Sequence, residues 1–171
     1  MDIPTHDAVR QIIASATGRW RAFIVVAAFC GLRTSELRGL RWGDVDLGKC
    51  QLKVNQRADR YNEIGNPKSG TSRREIPFGN FVANTLKEWK LATAFNGDGD
   101  YVFCTSTGAI DYHANPVQRG FIPAVTRALG EPKYTGLHTL RHFYASWCIN
   151  AAPEPKTDPE LHGTFDHYDH L

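Results

Sequence analysis

Apolar residues recur at helical spacing over residues 8–16, where Ala8, Val9, Ile12, Ile13 and Ala16 share one face between the capping hydroxyl of Thr5 and the stop at Gly18. This predicts a short amphipathic helix. Residues 20–30 are apolar nearly all round and end at Gly31, the pattern of a helix buried in the middle of a domain. Thr34 and Ser35 can cap a further short helix through Leu40, and Trp42-Gly43-Asp44-Val45-Asp46 reads as the turn that ends it. Beyond Gly48 the period drops to two, with Cys50, Leu52 and Val54 alternating with Gln51, Lys53 and Asn55. Three short strands are predicted, near residues 50–57, 63–66 and 73–78. Pro67-Lys68-Ser69-Gly70 forms the tight turn between the last two, which puts Lys68 at a hairpin tip. Asn80 caps a helix to about residue 93, residues 96–100 form a loop, and residues 101–104 a short buried segment. Two more helices are predicted, over 116–129 with a kink at Pro123 and over 139–150. The fold class is α+β and mainly α, with a small three-stranded antiparallel sheet among helices.

The chain has 171 residues, enough for one domain with its own core. Its longest apolar stretch, from Ala22 to Cys30, has nine residues, and a membrane helix needs about 20. Nothing at the amino end has the layout of a secretion signal, so a cytoplasmic location is expected, with no membrane partner. Cys30, Cys50, Cys104 and Cys148 are widely spaced, without Cys-x-x-Cys or a nearby His pair, and read as reduced thiols rather than metal ligands. The loop Asn96-Gly97-Asp98-Gly99-Asp100 lacks the following Glu of a calcium site, and no glycine-rich phosphate loop opens a helix. No metal or cofactor is expected. Charge is unevenly spread: residues 1–150 carry 19 Lys and Arg against 13 Asp and Glu, and residues 151–171 one Lys against five acids. Within the body, residues 49–74 hold seven basic and two acidic residues, a patch suited to a polyanion, although such a run also serves as a solvated face.

Two arginines stand in distinctive contexts, Arg33 in Gly31-Leu32-Arg33-Thr34-Ser35-Glu36-Leu37 and Arg141 in Leu137-His138-Thr139-Leu140-Arg141-His142. His138 and Arg141 are three apart, so on one helix face they can grip a single phosphate together. With the lysine turn and Arg73-Arg74-Glu75-Ile76-Pro77, these segments resemble the first arginine motif, the His-x-x-Arg motif and the lysine hairpin of the tyrosine recombinases, the phage integrase family. The three occur in the family's order over residues 1 to about 150. The resemblance implies that Arg33 and Arg141 hold the non-bridging oxygens of a scissile phosphate in place of a metal. It implies that Lys68 protonates the leaving 5′ hydroxyl, that His138 assists, and that a tyrosine attacks to form a 3′-phosphotyrosyl bond. Glu36, three residues after Arg33, can orient its guanidinium or simply pair with a nearby basic residue.

The carboxyl end departs from the family pattern. Residues 151–160 contain three prolines, and the closing motif is compressed, with His162 before Gly163 and Tyr168 six positions after His162. Tyr168 is the nucleophile candidate and His162 matches the second histidine; Tyr144 and Tyr134 are the fallback nucleophiles. The expected layout is a catalytic body over 1–150 and an atypical acidic tail over 151–171, with no helical core-binding domain ahead of it. Lys53, Arg57, Arg73 and Arg74 are the candidate contacts to double-stranded DNA, and the resemblance implies four protomers on DNA in the full-length protein. Site-specific recombination is the leading expectation. A type IB topoisomerase-like relaxation activity and an inactive DNA-binding remnant are the alternatives.

Overall fold

The computed structural model describes residues 2–67 and 73–151. Helix α1 (His6–Ser15) starts where the Thr5 hydroxyl accepts the Ala8 N–H at 3.1 Å, and buries Val9, Ile12 and Ile13. Helix α2 (Gly18–Cys30) has no polar stripe because it has no solvent face: every residue from Ala22 to Cys30 is buried. Around it pack α1, helix α4 (Asn80–Ala92), helix α6 (His138–Ala151) and a π-helical segment, Pro116–Phe121, that runs into α5 (Ile122–Leu129). Phe23 meets Phe103 edge to face at 5.1 Å, and Phe29 meets Phe81, Phe143 and Trp147 at 5.7 to 6.0 Å. Burying each such ring stabilises the fold by about 1.5–3 kcal/mol, so α2 is the axis on which the other helices are positioned.

The sheet differs from the sequence expectation. Its three antiparallel strands are β1 (Val45–Asp46), β2 (Gln51–Val54) and β5 (Arg74–Pro77), in the order β1-β2-β5. Residues 42–46 are therefore not simply a turn. A 3-10 turn, Trp42–Asp44, leads into β1, and the reversal comes later, where Asp46 Oδ1 accepts the Lys49 N–H at 2.9 Å and Cys50 takes a left-handed backbone. The strand expected over 50–57 is broken after Val54, and its end becomes β3 (Arg57–Ala58), which pairs with β4 (Ile64–Gly65) as a separate hairpin. Among the described residues β4 pairs with β3 and β5 with β2. The turn expected at 67–70 lies, beyond Pro67, outside the described residues, and Lys68 with it.

The β3–β4 hairpin is held from below by Arg38, the last residue of helix α3 (Thr34–Arg38), which is 2% exposed. Its guanidinium donates to Ala58 O, Asp59 O, Asn62 Oδ1 and, across the molecule, Asp111 O at 2.9 Å. The Asp59 carboxylate in turn accepts the Tyr61 and Glu63 N–H groups, so the hairpin turn is hydrogen-bonded from both sides. The atypical tail expected over 151–171 lies, beyond Ala151, outside the described residues. No helix among the described residues is long and apolar enough to cross a membrane.

Candidate active site

The site grows from the corner between α2 and α3. Gly31 ends α2 with φ 68°, a left-handed conformation that glycine adopts without the steric penalty a side chain brings. A Cβ there would sit 2.2 Å from the Tyr144 ring, so glycine is also what lets α6 close on this corner. Leu32 is buried, which turns Arg33 outward at the start of α3, in extended backbone (φ −71°, ψ 155°). Glu36, one turn on, accepts the Arg33 N–H at 2.8 Å and so caps the helix from inside.

Glu36 is the electrostatic centre of the corner. Its carboxylate is 2% exposed and receives Arg74 end-on, Nη1 to Oε2 at 3.0 Å and Nη2 to Oε1 at 3.1 Å, while Arg33 Nη1 stands 3.9 Å from Oε2. Burial alone would raise the Glu36 carboxyl; the bonds from Arg74 and the Arg33 N–H outweigh it and hold the group below its ordinary value. Arg33, Arg74 and Arg141 front one open cleft of about 610 Å³, with Cys30, Gly31, Tyr144 and Ala145 in its wall. Burial lowers the Arg141 pKa, and the like charges of Arg33 and Arg74 lower it further, opposed by Glu36. A guanidinium remains cationic under such pressure, so three cationic donor groups front this cleft, together with the Glu75 carboxylate.

The sequence-predicted residues divide clearly. Arg33 and Arg141 come together, although 108 positions apart in the chain. His138, at the first position of α6, is exposed. A Cβ on Gly136 would meet its ring at 2.3 Å, and His142 is 6.3 Å away between ring centroids. It is not among the residues lining the arginine cleft. Lys68, His162 and Tyr168 lie outside the described residues. Of the four candidate DNA contacts, Lys53 faces Glu75 at 3.9 Å, Arg57 donates to Asn66 O at 3.2 Å, and Arg73 donates to Asn66 Oδ1 at 2.6 Å. Arg74 is the one that turns inward. Strand alternation carried that signal, because Arg74 shares its face with the buried Ile76 two residues on. The phenol of Tyr144 lies in the cleft wall, but burial and its hydrogen bond to Cys148 push its pKa well up, which makes it a poor nucleophile. Tyr134 is 4% exposed and packs in the core. Among the described residues no group of three His, Cys, Asp or Glu side chains is placed to hold a metal ion.

Known proteins resemble this chain over most of its length. The chain is 32% identical over 149 residues to the tyrosine recombinase XerC of Xylella fastidiosa (strain 9a5c), covering 86% of this chain and 45% of that protein. It is 31% identical to the tyrosine recombinase XerC-like protein of Caldanaerobacter subterraneus subsp. tengcongensis, covering 93% and 46%. It thus spans about half the length of the curated relatives it matches. Its fold matches the crystal structure of XerA recombinase (TM-score 0.72, 21% identity, 100% of this chain and 59% of that one). It also matches the Tn1549 transposon integrase solved in complex with transposon right end DNA (TM-score 0.75, 22% identity, 99% and 62%). The family model described as "Phage integrase family" matches residues 4–160, and the chain belongs to the phage integrase family.

Proposed function

We propose that this chain is the catalytic portion of a site-specific recombinase that cleaves and rejoins double-stranded DNA through a 3′-phosphotyrosyl intermediate, with no cofactor. The observation that carries the reading is the convergence of Arg33 and Arg141 on one cleft in a member of this family. Two guanidiniums held by the fold can bind the non-bridging oxygens of a phosphodiester and neutralise the charge that grows as phosphorus becomes five-coordinate. Tyr168 supplies the attacking phenol oxygen. As the P–O bond to the tyrosine forms, the P–O5′ bond breaks, and Lys68 gives its proton to the departing 5′ oxygen. His138 and His162 assist by hydrogen-bonding the phosphate or relaying the phenol proton. The energy of the broken phosphodiester is kept in the phosphotyrosine, so rejoining needs no external energy source. DNA affinity rests on phosphate contacts from the basic face and falls with salt, and recombination is carried out by four protomers on two duplexes.

The test is covalent capture. Incubation with nicked DNA that loses its cleaved fragment is expected to give a protein–DNA adduct that survives denaturation and maps by peptide mass to Tyr168. Tyr168→Phe is expected to abolish the adduct and leave salt-sensitive DNA binding in place. An adduct that persists in Tyr168→Phe would refute Tyr168 as the nucleophile.

A further inference from the structure

The third arginine of the cleft has no assigned part in the reaction. We propose that Arg74 is a further catalytic residue, a third guanidinium that contacts the scissile phosphate in the transition state, with Glu36 as the residue that positions it. This rests on the recombinase reading above and assigns a residue to the same cleft.

Arg33, Arg74 and Arg141 front the cleft, whose wall also holds the Glu75 carboxylate, itself 3.9 Å from Lys53, while Glu36 is buried behind Arg74. A phosphodiester in the ground state carries about one negative charge and its five-coordinate transition state about two, so each further guanidinium within reach of the non-bridging oxygens favours the transition state over the substrate. Burial lowers the Arg141 pKa first, and the neighbouring guanidiniums of Arg33 and Arg74 add to that; an arriving anion relieves their repulsion.

Geometry supports the same conclusion. Arg74 is fixed from two directions: the β2–β5 pairing sets Arg74 opposite Val54, and the Glu36 carboxylate takes its two terminal nitrogens end-on. A guanidinium so held keeps its plane and reach, which makes it pre-oriented for a charge that appears only during reaction. If its sole task were to neutralise buried Glu36, Arg74 could be sealed with it; the Glu36 side chain is 2% exposed, whereas Arg74 keeps 30% and fronts the cleft. The carboxylate is buried, and Arg74 reaches the cleft.

The step assigned to Arg74 involves no new bond. While the tyrosine oxygen bonds to phosphorus and the 5′ oxygen leaves with the proton of Lys68, Arg74 only shares the added charge on the non-bridging oxygens. Replacing one of those oxygens by a methyl group removes the charge it would neutralise. Adduct formation is therefore measured with nicked DNA carrying either the ordinary phosphodiester or a methylphosphonate at the cleaved position, for the unaltered protein, Arg74→Met and Arg74→Lys. On the phosphodiester, Arg74→Met is expected to be slower by about 10²-fold, the scale of one lost transition-state donor. On the methylphosphonate its deficit is expected to shrink to within about threefold of the unaltered protein, because the transition state there carries one negative charge fewer and Arg33 and Arg141 suffice for it. Arg74→Lys, which keeps the charge but cannot pair end-on, is expected to recover about tenfold over Arg74→Met on the phosphodiester. A deficit of equal size on both substrates, or a lysine variant no better than methionine, overturns the proposal and leaves Arg74 as a partner of Glu36 alone. Absence of any adduct from the unaltered protein on the phosphodiester overturns the recombinase reading itself, and this proposal with it.

Discussion

At the carboxyl end of α3, Arg38 is 2% exposed and gives its hydrogens to three carbonyls and an amide oxygen that are already fixed by the fold. At the amino end, a few residues away, Arg33 is nearly half exposed and shares one carboxylate with Arg74, beside Arg141. Both regions are arginine-rich, and a count of charges would treat them alike. They differ in setting: around Arg38 the donors meet backbone and amide oxygens inside the fold, whereas Arg33, Arg74 and Arg141 gather at an open cleft. A guanidinium enclosed by fixed acceptors is part of the scaffold, and guanidiniums gathered at a cleft are candidates to hold an anion.

The comparison breaks if the two ends respond alike to substitution. Arg33→Ala is expected to slow adduct formation by about 10²–10³-fold while leaving the urea unfolding free energy within about 0.5 kcal/mol of the unaltered protein. Activity and unfolding measured on the same preparation check this, and a large stability loss would show that Arg33 belongs to the scaffold. Arg38→Met is expected to do the reverse and destabilise the fold by about 3 kcal/mol, since it removes the donor shared by the Ala58, Asp59 and Asp111 carbonyls and the Asn62 amide oxygen. Urea unfolding reads that loss, and an unchanged midpoint would mean that the hairpin does not depend on the clamp.

The smallest effect sharpens the comparison at its centre. The Glu36 carboxyl is held below its ordinary value in the fold, so its stabilising contribution is complete above the unfolded carboxylate pKa, about 4.3, and is lost as pH falls through the lower folded value. In Glu36→Gln this part of the acid sensitivity is expected to vanish. Stability plotted against pH should then fall less steeply below about pH 4.5 than in the unaltered protein. Parallel curves would show that the carboxylate does not feel its arginines.

Much of this molecule could be read before any coordinate was seen. The apolar run at 22–30 fixed a buried helix because no polar face remained for water, and Thr5 and Gly31 marked helix ends by chemistry that is local to a few residues, whereas Gly18, expected to stop the first helix, begins the second. The contexts of Arg33 and Arg141, through the family resemblance they carry, marked both as candidate site residues, and both line one cleft. What the sequence could not decide was pairing. Strand propensity near residues 45–46, 57–58 and 64–65 is weak, and which segments pair depends on Arg38, Asp46 and Asp59 supplying hydrogen bonds from outside the strands.

The same reason explains Arg74. A basic residue in a basic stretch reads as a solvated face or a phosphate contact, and the alternation that places it beside Ile76 gives its side but not its partner. Only the tertiary structure brings Glu36 to it, from 38 positions away in the chain, and sets both against Arg141. Residue type and periodicity determined the helices and the core, and the family resemblance of two motifs marked two of the three cleft arginines. Long-range hydrogen bonds between charged side chains decided the sheet and the third, because such bonds depend on distances that no local pattern encodes.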